Sequence, residues 1–528
     1  MEAKRISHGR KWTVVAIGGL ANAVLGIDLT ALHLAIPGLT ADIGPSAGQI
    51  LWIADSYGFA LAGFLVTMGV LGDRIGRKKL FVIGTVAFAA TSLLTAYAWN
   101  AESLIAARTL LGVAGATIMP STLSISRNVF TDPKERTAAV GIGTGAAALG
   151  VGLGPVIGGA LLDHFWWGSV FLVNVPLMAL ACVAAMVVFP ESRDPRPGAF
   201  DVVSVPLSIA GVLGFVYAIK EAAAGGVTQG RVAVGLVVGV LGAALFIRRQ
   251  RRLADPLIDV ALFRRKAFTG AVLANLFSMF ALVAQSLLFA QYFQLVLGWS
   301  PLKAGLAGLP GGVCAMIGGG LAAPLITALG RARVVGLGMT VAATGFCLYT
   351  LSGASSNYPL LVVGMVPCAL GMGMAMTVTS DTILAAVPKD RAGGASAISE
   401  TATELGGALG MAVLGSILNA VYRGSVSVPA DVPRGSRGAV EDSVGAALHA
   451  AASMPADVAG RVVDAARDAF VHGMHIALLT SGALTLLAGV TGTVLLRGVP
   501  KVLDDEDSAA SRDAAGDREV PPAARTVG

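Results

Sequence analysis

Charge is scarce in this chain. Only 13% of its 528 residues are Asp, Glu, Lys or Arg, about half the share usual in a soluble domain, and this excludes a protein whose whole surface faces water. Cysteine is scarce too: Cys182, Cys314, Cys347 and Cys368 are the full set, all inside apolar runs. There they act as small buried hydrophobes, so neither a disulfide framework nor a metal site is expected. His33, His472 and His475 show no ligand spacing on a shared helix face. No Gly-x-x-x-x-Gly-Lys-Ser/Thr stretch occurs, which excludes ATP hydrolysis by a P-loop. Ten-residue segments of alternating polarity are missing as well, so a membrane barrel is excluded.

What is present is apolar length. Hydrophobic residues make up 55% of the chain and mean hydropathy is +0.74, which reads as an all-α polytopic membrane protein whose spans each need about 20 apolar residues. Lys4, Arg5, Arg10 and Lys11 precede an apolar run, 12–36, too long for a signal-peptide core, so it reads as a retained first span. Further spans are expected at 50–71, 80–98, 103–124, 138–162 and 169–189, then at 202–218 and 232–247, and then at 268–295, 305–328, 334–351, 359–384, 397–420 and 476–496. The total is about fourteen. Basic residues gather in alternate loops, at Arg127, Lys134 and Arg136, at Arg193 and Arg196, at Arg248 through Lys266, at Arg331 and Arg333, and at Lys389 and Arg391. The positive-inside bias then puts both termini in the cytoplasm.

The chain also repeats itself. Gly76-Arg-Lys-Lys79 returns as Gly330-Arg-Ala-Arg333, Asp132-Pro-Lys-Glu-Arg136 as Val387-Pro-Lys-Asp-Arg391, and Leu149-Gly150 as Leu405-Gly406, at an offset of roughly 255 residues that marks parallel halves. The expected organisation is a six-helix bundle over 1–190, two inserted spans with a cytoplasmic linker over 191–266, and a second six-helix bundle over 267–500. A long outer loop, 424–471, interrupts the second bundle, and its later part is amphipathic and helical. The tail 501–528, with Asp504, Asp505, Glu506 and Asp507, reads as disordered.

Ionisable groups inside spans carry the functional signal, since each costs at least ~2.5 kcal/mol at the bilayer centre unless it faces protein or water. Asp28 lies roughly 24 Å along the first span and Asp55 about 7 Å into the second, so both reach a similar depth and could line one cavity. The plainer alternatives are a frayed helix end capped by Asp55 and an Asp28 bonded to Thr30. Arg108 either snorkels from the outer end of its span or pairs with Asp28 or Asp55. Glu400 and Glu404 stand i,i+4 on one helix face, where mutual repulsion favours a bound proton; a wet vestibule that solvates both is the alternative. Asp381 reads as interfacial. Gly150, Gly154, Pro155, Gly158 and Gly159 permit close helix contact and a kink. Between two apolar runs, Gly69, Gly72, Asp73, Arg74, Gly76 and Arg77 read as a cytoplasmic hinge. The acid among those cations has no topological use and suggests a latch.

These residues resemble a known family. Gly69-Val-Leu-Gly-Asp-Arg-Ile-Gly-Arg-Lys-Lys79 is similar to motif A of the major facilitator superfamily, Arg108-Thr-Leu-Leu-Gly112 to its motif B, and Gly150 through Gly159 to motif C, the antiporter motif. Ile27-Asp-Leu-Thr-Ala-Leu-His-Leu-Ala-Ile-Pro37 resembles the first-span motif of the fourteen-span drug:proton antiporters, in the QacA-like branch of multidrug exporters. The resemblance implies two six-helix bundles plus two inserted helices. It also implies proton-coupled, alternating-access export of lipophilic cations or antibiotics from a bacterial inner membrane, with no cofactor beyond the proton gradient. It implies that Asp73 caps a helix start of the opposite half, near Gly393 and Gly394. A narrow exporter of one metabolite, lipid or self-made antibiotic, and a non-transporting receptor or scaffold, are the competing readings. A monomer acting on small molecules and protons, with no nucleic acid and no enzymatic reaction, completes the expectation.

Overall fold

Seventeen α-helices and no strand are found among the described residues of the computed structural model, which are 7–45, 47–192, 201–223, 229–253, 256, 258, 260–354, 358–385, 387 and 392–499. The tail 501–528 lies outside them. The first bundle comprises α1 (His8–Ile43), α2 (Ala47–Ile75), α3 (Arg77–Ala96), α4 (Ala101–Val129), α5 (Pro133–Leu162), the one-turn α6 (Ser169–Leu172) and α7 (Asn174–Val188). Two helices follow, α8 (Ser204–Ala223) and α9 (Gln229–Gln250). The second bundle comprises α10 (Lys266–Gln291), α11 (Pro301–Leu329), α12 (Arg331–Tyr349), α13 (Tyr358–Ala385), α14 (Ala392–Ser425), the short α15 (Arg434–Asp442) and α16 (Val444–Ala451), and α17 (Ala456–Leu495). Thirteen of the described segments are long and apolar enough to cross a membrane, and Ser204–Ile219 is apolar but shorter.

Local chemistry sets where the helices begin. Asn100 accepts the Ser103 N–H at 2.7 Å and Ser103 returns the bond to the Asn100 backbone, closing a capping box at α4. Asp132 caps α5 by accepting the Lys134 N–H at 2.9 Å, with Pro133 as the first helical residue. Gly76 and Gly330 precede α3 and α12 with φ of 107° and 87°, a region open to glycine alone at little cost. The repeat seen in the sequence is thus a repeated sharp turn. At Gly76 a Cβ would also meet Glu191 at 2.3 Å.

The stretch expected as an outer loop is folded. α15, α16 and the first turns of α17 share one apolar core, with Val440, Val444, Ala447, Val462 and Phe470 packed on the Tyr292–Val296 π-helical turn that ends α10. Tyr422 donates its hydroxyl to the Val440 carbonyl at 2.9 Å, and Arg423 meets Asp442 at 2.5 Å. At 1.5 Å per residue the 40-residue α17 is about 60 Å long, twice the ~30 Å hydrocarbon core, so its first half stands outside the membrane as part of this cap. The amphipathic pattern in 456–470 showed a helix; its continuity with the last span needed the packing.

α5 is the seam between the bundles. On one face Gly150 and Gly154 press on α1: a Cβ at 150 would come within 2.1 Å of the Ala23 carbonyl, and one at 154 within 1.9 Å of Thr30 Oγ1. Gly158 faces Ala31 with ordinary clearance, 3.4 Å. The opposite face meets α11, where a Cβ at Gly141 would come within 2.7 Å of the Gly319 carbonyl, one at Gly145 within 2.9 Å of Met316, and one at Gly305 within 2.8 Å of Pro155 Cβ. Gly159 sits at ordinary contact distance, 3.6 Å, from Leu302. Small residues on two faces let one helix touch both halves. Gly150→Val should therefore sharply lower the yield of monodisperse protein in size-exclusion chromatography, whereas Gly143→Ala, with nothing within 4 Å, should leave it unchanged.

Candidate functional site

Asp28 is completely enclosed in the first bundle. Its Oδ2 accepts Arg108 Nη1 at 2.6 Å and its Oδ1 accepts Asn174 Nδ2 at 2.8 Å, while Asn174 also reaches Ser92 Oγ at 3.3 Å. α1, α3, α4 and α7 each give one residue to this cluster. Arg108 donates Nε to the Ile53 carbonyl at 3.3 Å, and its guanidinium lies 4.9 Å from the Tyr57 ring centre and 5.7 Å from that of Phe171. Of the two readings of Arg108, snorkelling is thus corrected to pairing: both side chains of the ion pair are fully buried, and aromatic faces hold the cation that water would otherwise hold. Thr30 does not bond Asp28; it donates to the Val151 carbonyl of α5 at 3.1 Å. Asp55 lies in α2, two residues from Ile53, but its side chain is outside the described residues.

Glu400 and Glu404 lie half-buried on α14, each carboxylate in the field of the other. α14 packs against α2, which carries Tyr57 under the Arg108 guanidinium. Asn275 on α10 fixes α14 beside these acids, donating to the Ser399 carbonyl at 3.0 Å and to Thr403 Oγ1 at 3.0 Å.

At the far end of the bundles from Asp28, the two halves are tied by charge. Asp73 accepts Arg77 Nε at 2.9 Å and Nη2 at 2.5 Å on one oxygen, and the Gly394 N–H, at the start of α14, at 3.2 Å on the other. A carboxylate is well suited to the exposed N–H groups of a helix start. Gly69 and Gly72 lie within α2, and a Cβ at 72 would approach Leu80 to 3.0 Å, so the acid-bearing end of α2 packs tightly on α3.

Asp381 is a correction. It was expected at the water interface, yet it is fully buried: Arg136 Nε donates to Oδ1 at 2.8 Å, Arg331 Nη2 to Oδ2 at 2.7 Å, and Thr137 Oγ1 to Oδ2 at 3.0 Å. Arg136 and Thr137 belong to α5 of the first bundle, Asp381 and Arg331 to the second. Two guanidiniums offset the desolvation of one carboxylate, so burial is possible where a lone acid would stay in water. Arg127 donates to the Val387 carbonyl and Ser396 to the Pro120 carbonyl at this same end.

The comparisons with known proteins now bear on the chain. Residues 18–411 match the model of the Major Facilitator Superfamily. The chain belongs to the Major Facilitator Superfamily. As a superfamily member it is similar to the multidrug efflux pump LfrA of Mycolicibacterium smegmatis, with 43% identity over 92% of this chain and 97% of the relative. It is 34% identical to the methyl viologen resistance protein SmvA of Salmonella typhimurium, over 91% of this chain and 97% of that one. It is 30% identical to the tetracenomycin C resistance and export protein of Streptomyces glaucescens, over 96% of each. In fold it resembles the human organic anion transporter MFSD10, with a TM-score of 0.59, 15% identity, and coverage of 92% of this chain and 100% of that one. This superfamily member is a multi-pass membrane transporter, not an enzyme.

Sequence reasoning missed Asn174 and misplaced Asp381. The first sits mid-run in an apolar span, and an amide there was a usable signal. The second was signalled by the repeat itself, since Arg331 and Arg136 both stand in repeated motifs. The buried Met372 and Met374, with Phe280, Phe289, Tyr292 and Phe293, belong to the apolar cores of the second bundle. Removing one partner of the buried pair, by Arg108→Met, should destabilise the transporter by about 3–5 kcal/mol. Asp28→Leu with Arg108→Met should recover most of that loss, as read by thermal unfolding in detergent. Asp381→Asn should leave the protein folded but lengthen spin-label distances between the ends of α5 and α13, because one charge no longer holds both guanidiniums.

Proposed function

We propose that this chain is a proton-coupled efflux transporter that carries lipophilic cationic compounds or antibiotics out of a bacterial cell by alternating access across the inner membrane. The observation that carries the reading is that ionisable groups stand inside both bundles, the buried Arg108–Asp28 pair in the first and the half-buried Glu400 and Glu404 on α14 in the second. Carboxylates held in the bilayer interior can be neutralised by a proton or by a cation but gain nothing from holding both, and that exclusion is what exchange of one for the other requires. Asp28 has an arginine already, so its protonation would release Arg108.

The charged ties at Asp73, Arg77 and Gly394 and at Asp381, Arg136 and Arg331 are then cytoplasmic latches. With the basic loops at that end, both termini are cytoplasmic. With these latches closed the carrier faces outward, and a change in charge on the buried acids is relayed along α5 and α14 to open them. Gly154 and Pro155, in the seam between α1 and α11, give α5 a place to bend. Neither a cofactor nor a second subunit enters this cycle. The relative named for tetracenomycin C supports a second reading, export of one antibiotic, in which the same acids serve coupling alone.

Energised cells expressing the protein should extrude ethidium, a protonophore should stop the extrusion, and Asp28→Asn and Glu404→Gln should each lower it at least tenfold at equal expression. Well-expressed protein that moves ethidium equally well with a protonophore present would refute proton coupling. Well-expressed protein that moves no lipophilic cation at all would favour the narrow exporter.

A further inference from the structure

An apolar crevice of about 90 Å³ opens on the membrane face of the second bundle, between α10 and α17. Its floor is made of small residues, Gly270, Ala274, Ala488 and Gly492, and its rims are Leu273 and Leu487, 38% and 62% exposed. Side chains of these two helices do not fill the space, and an unfilled void forfeits the dispersion contacts of its lining. An aliphatic chain from the bilayer would supply them.

The mouth of the crevice lies at a defined depth. A Cβ at Gly270 would touch Leu495 Cβ at 2.6 Å, so these two positions are level. Lys266 stands one turn before Gly270, and Arg497 two residues after Leu495, and both are exposed. Thr493 donates to the Ala332 carbonyl at 3.3 Å, which brings the start of α12, with exposed Arg333, to the same rim. Lys266 at the start of α10, Arg333 in the first turn of α12 and Arg497 just past α17 thus stand near one end of the crevice, where the apolar runs stop. The adjoining stretches 260–277, 329–339 and 471–499 contain no Asp or Glu.

We propose that this crevice binds one anionic glycerophospholipid, with an acyl chain on the Gly270–Ala274–Ala488–Gly492 floor and the phosphate among Lys266, Arg333 and Arg497. A zwitterionic lipid could fill the floor, but its own ammonium would face the cations. Basic pockets at the ends of membrane helices favour anionic headgroups through unpaired lysine and arginine charge. The site lies apart from Asp28 and Glu404, and its test reads lipid rather than transport.

Native mass spectrometry of the full chain, released from detergent with equal dioleoylphosphatidylglycerol and dioleoylphosphatidylethanolamine, should show selective retention of the phosphatidylglycerol. Lys266→Ala with Arg497→Ala should weaken that retention by about tenfold, and Arg251→Ala, an exposed cation at the end of α9, should not. Thr491→Trp, which fills the crevice from its rim, should weaken retention of both lipids; Leu487→Trp serves the same purpose should the first variant fail to elute as folded protein. Equal retention of the two lipids, an equal loss with Arg251→Ala, or retention indifferent to both tryptophans would each overturn the proposal.

Discussion

A carboxylate inside a bilayer must find a partner that water no longer provides, and the arrangement of this protein follows from how each buried acid meets that demand. Asp28 takes an arginine and an asparagine, Asp73 an arginine and a helix start, Asp381 two arginines and a threonine. Every one of those partners lies on another helix. The acids therefore do more than neutralise charge: they specify which helices stand side by side, and at what height. An apolar interface between the same helices would slide with little penalty, since lipid tails are as apolar as leucine.

The two bundles satisfy equivalent positions with different chemistry. Within the first bundle, α1, α3 and α4 meet around an ion pair. Within the second, the corresponding α10, α12 and α13 meet around neutral groups, with Gln285 donating to Tyr349 Oη at 2.8 Å and accepting from Cys368 Sγ at 3.1 Å. The neutral cluster holds its helices together without responding to a proton. At this level the first half thus holds an ion pair where the second holds neutral groups. Inequality between halves is what a carrier needs if protonation is to favour one arrangement over another.

α5 and α14 are the helices through which the two halves touch most directly. Glycine lets the backbone of α5 touch α1 on one side and α11 on the other, so its position couples both bundles. α14 receives Asp73 at its start and carries Glu400 and Glu404 two and three turns later. The acids and the contact to Asp73 therefore stand on one helix. The folded cap built from α15, α16 and the extended α17 rests on the end of α10, opposite to the charged ties at Asp73 and Asp381.

Much of this was legible in the residues themselves. Long apolar runs can bury their backbone polar groups only as helices, so the all-α architecture and the position of nearly every span follow from composition and breakers. The twin glycine turns at Gly76 and Gly330 follow from a motif that occurs twice, and the meeting of Asp73 with the start of α14 was expected from a family resemblance at Gly393 and Gly394. Tertiary packing alone decided the rest. Arg108 could pair or snorkel until helix rotation put it against Asp28, 80 positions away, and Asp381 stayed an interfacial residue on paper until Arg136, 245 positions away, closed over it. Local pattern fixes what each helix can bury, because burial depends on its own periodicity; which charge meets which depends on how helices distant in sequence rotate and slide against one another, and only the assembled bundle sets that.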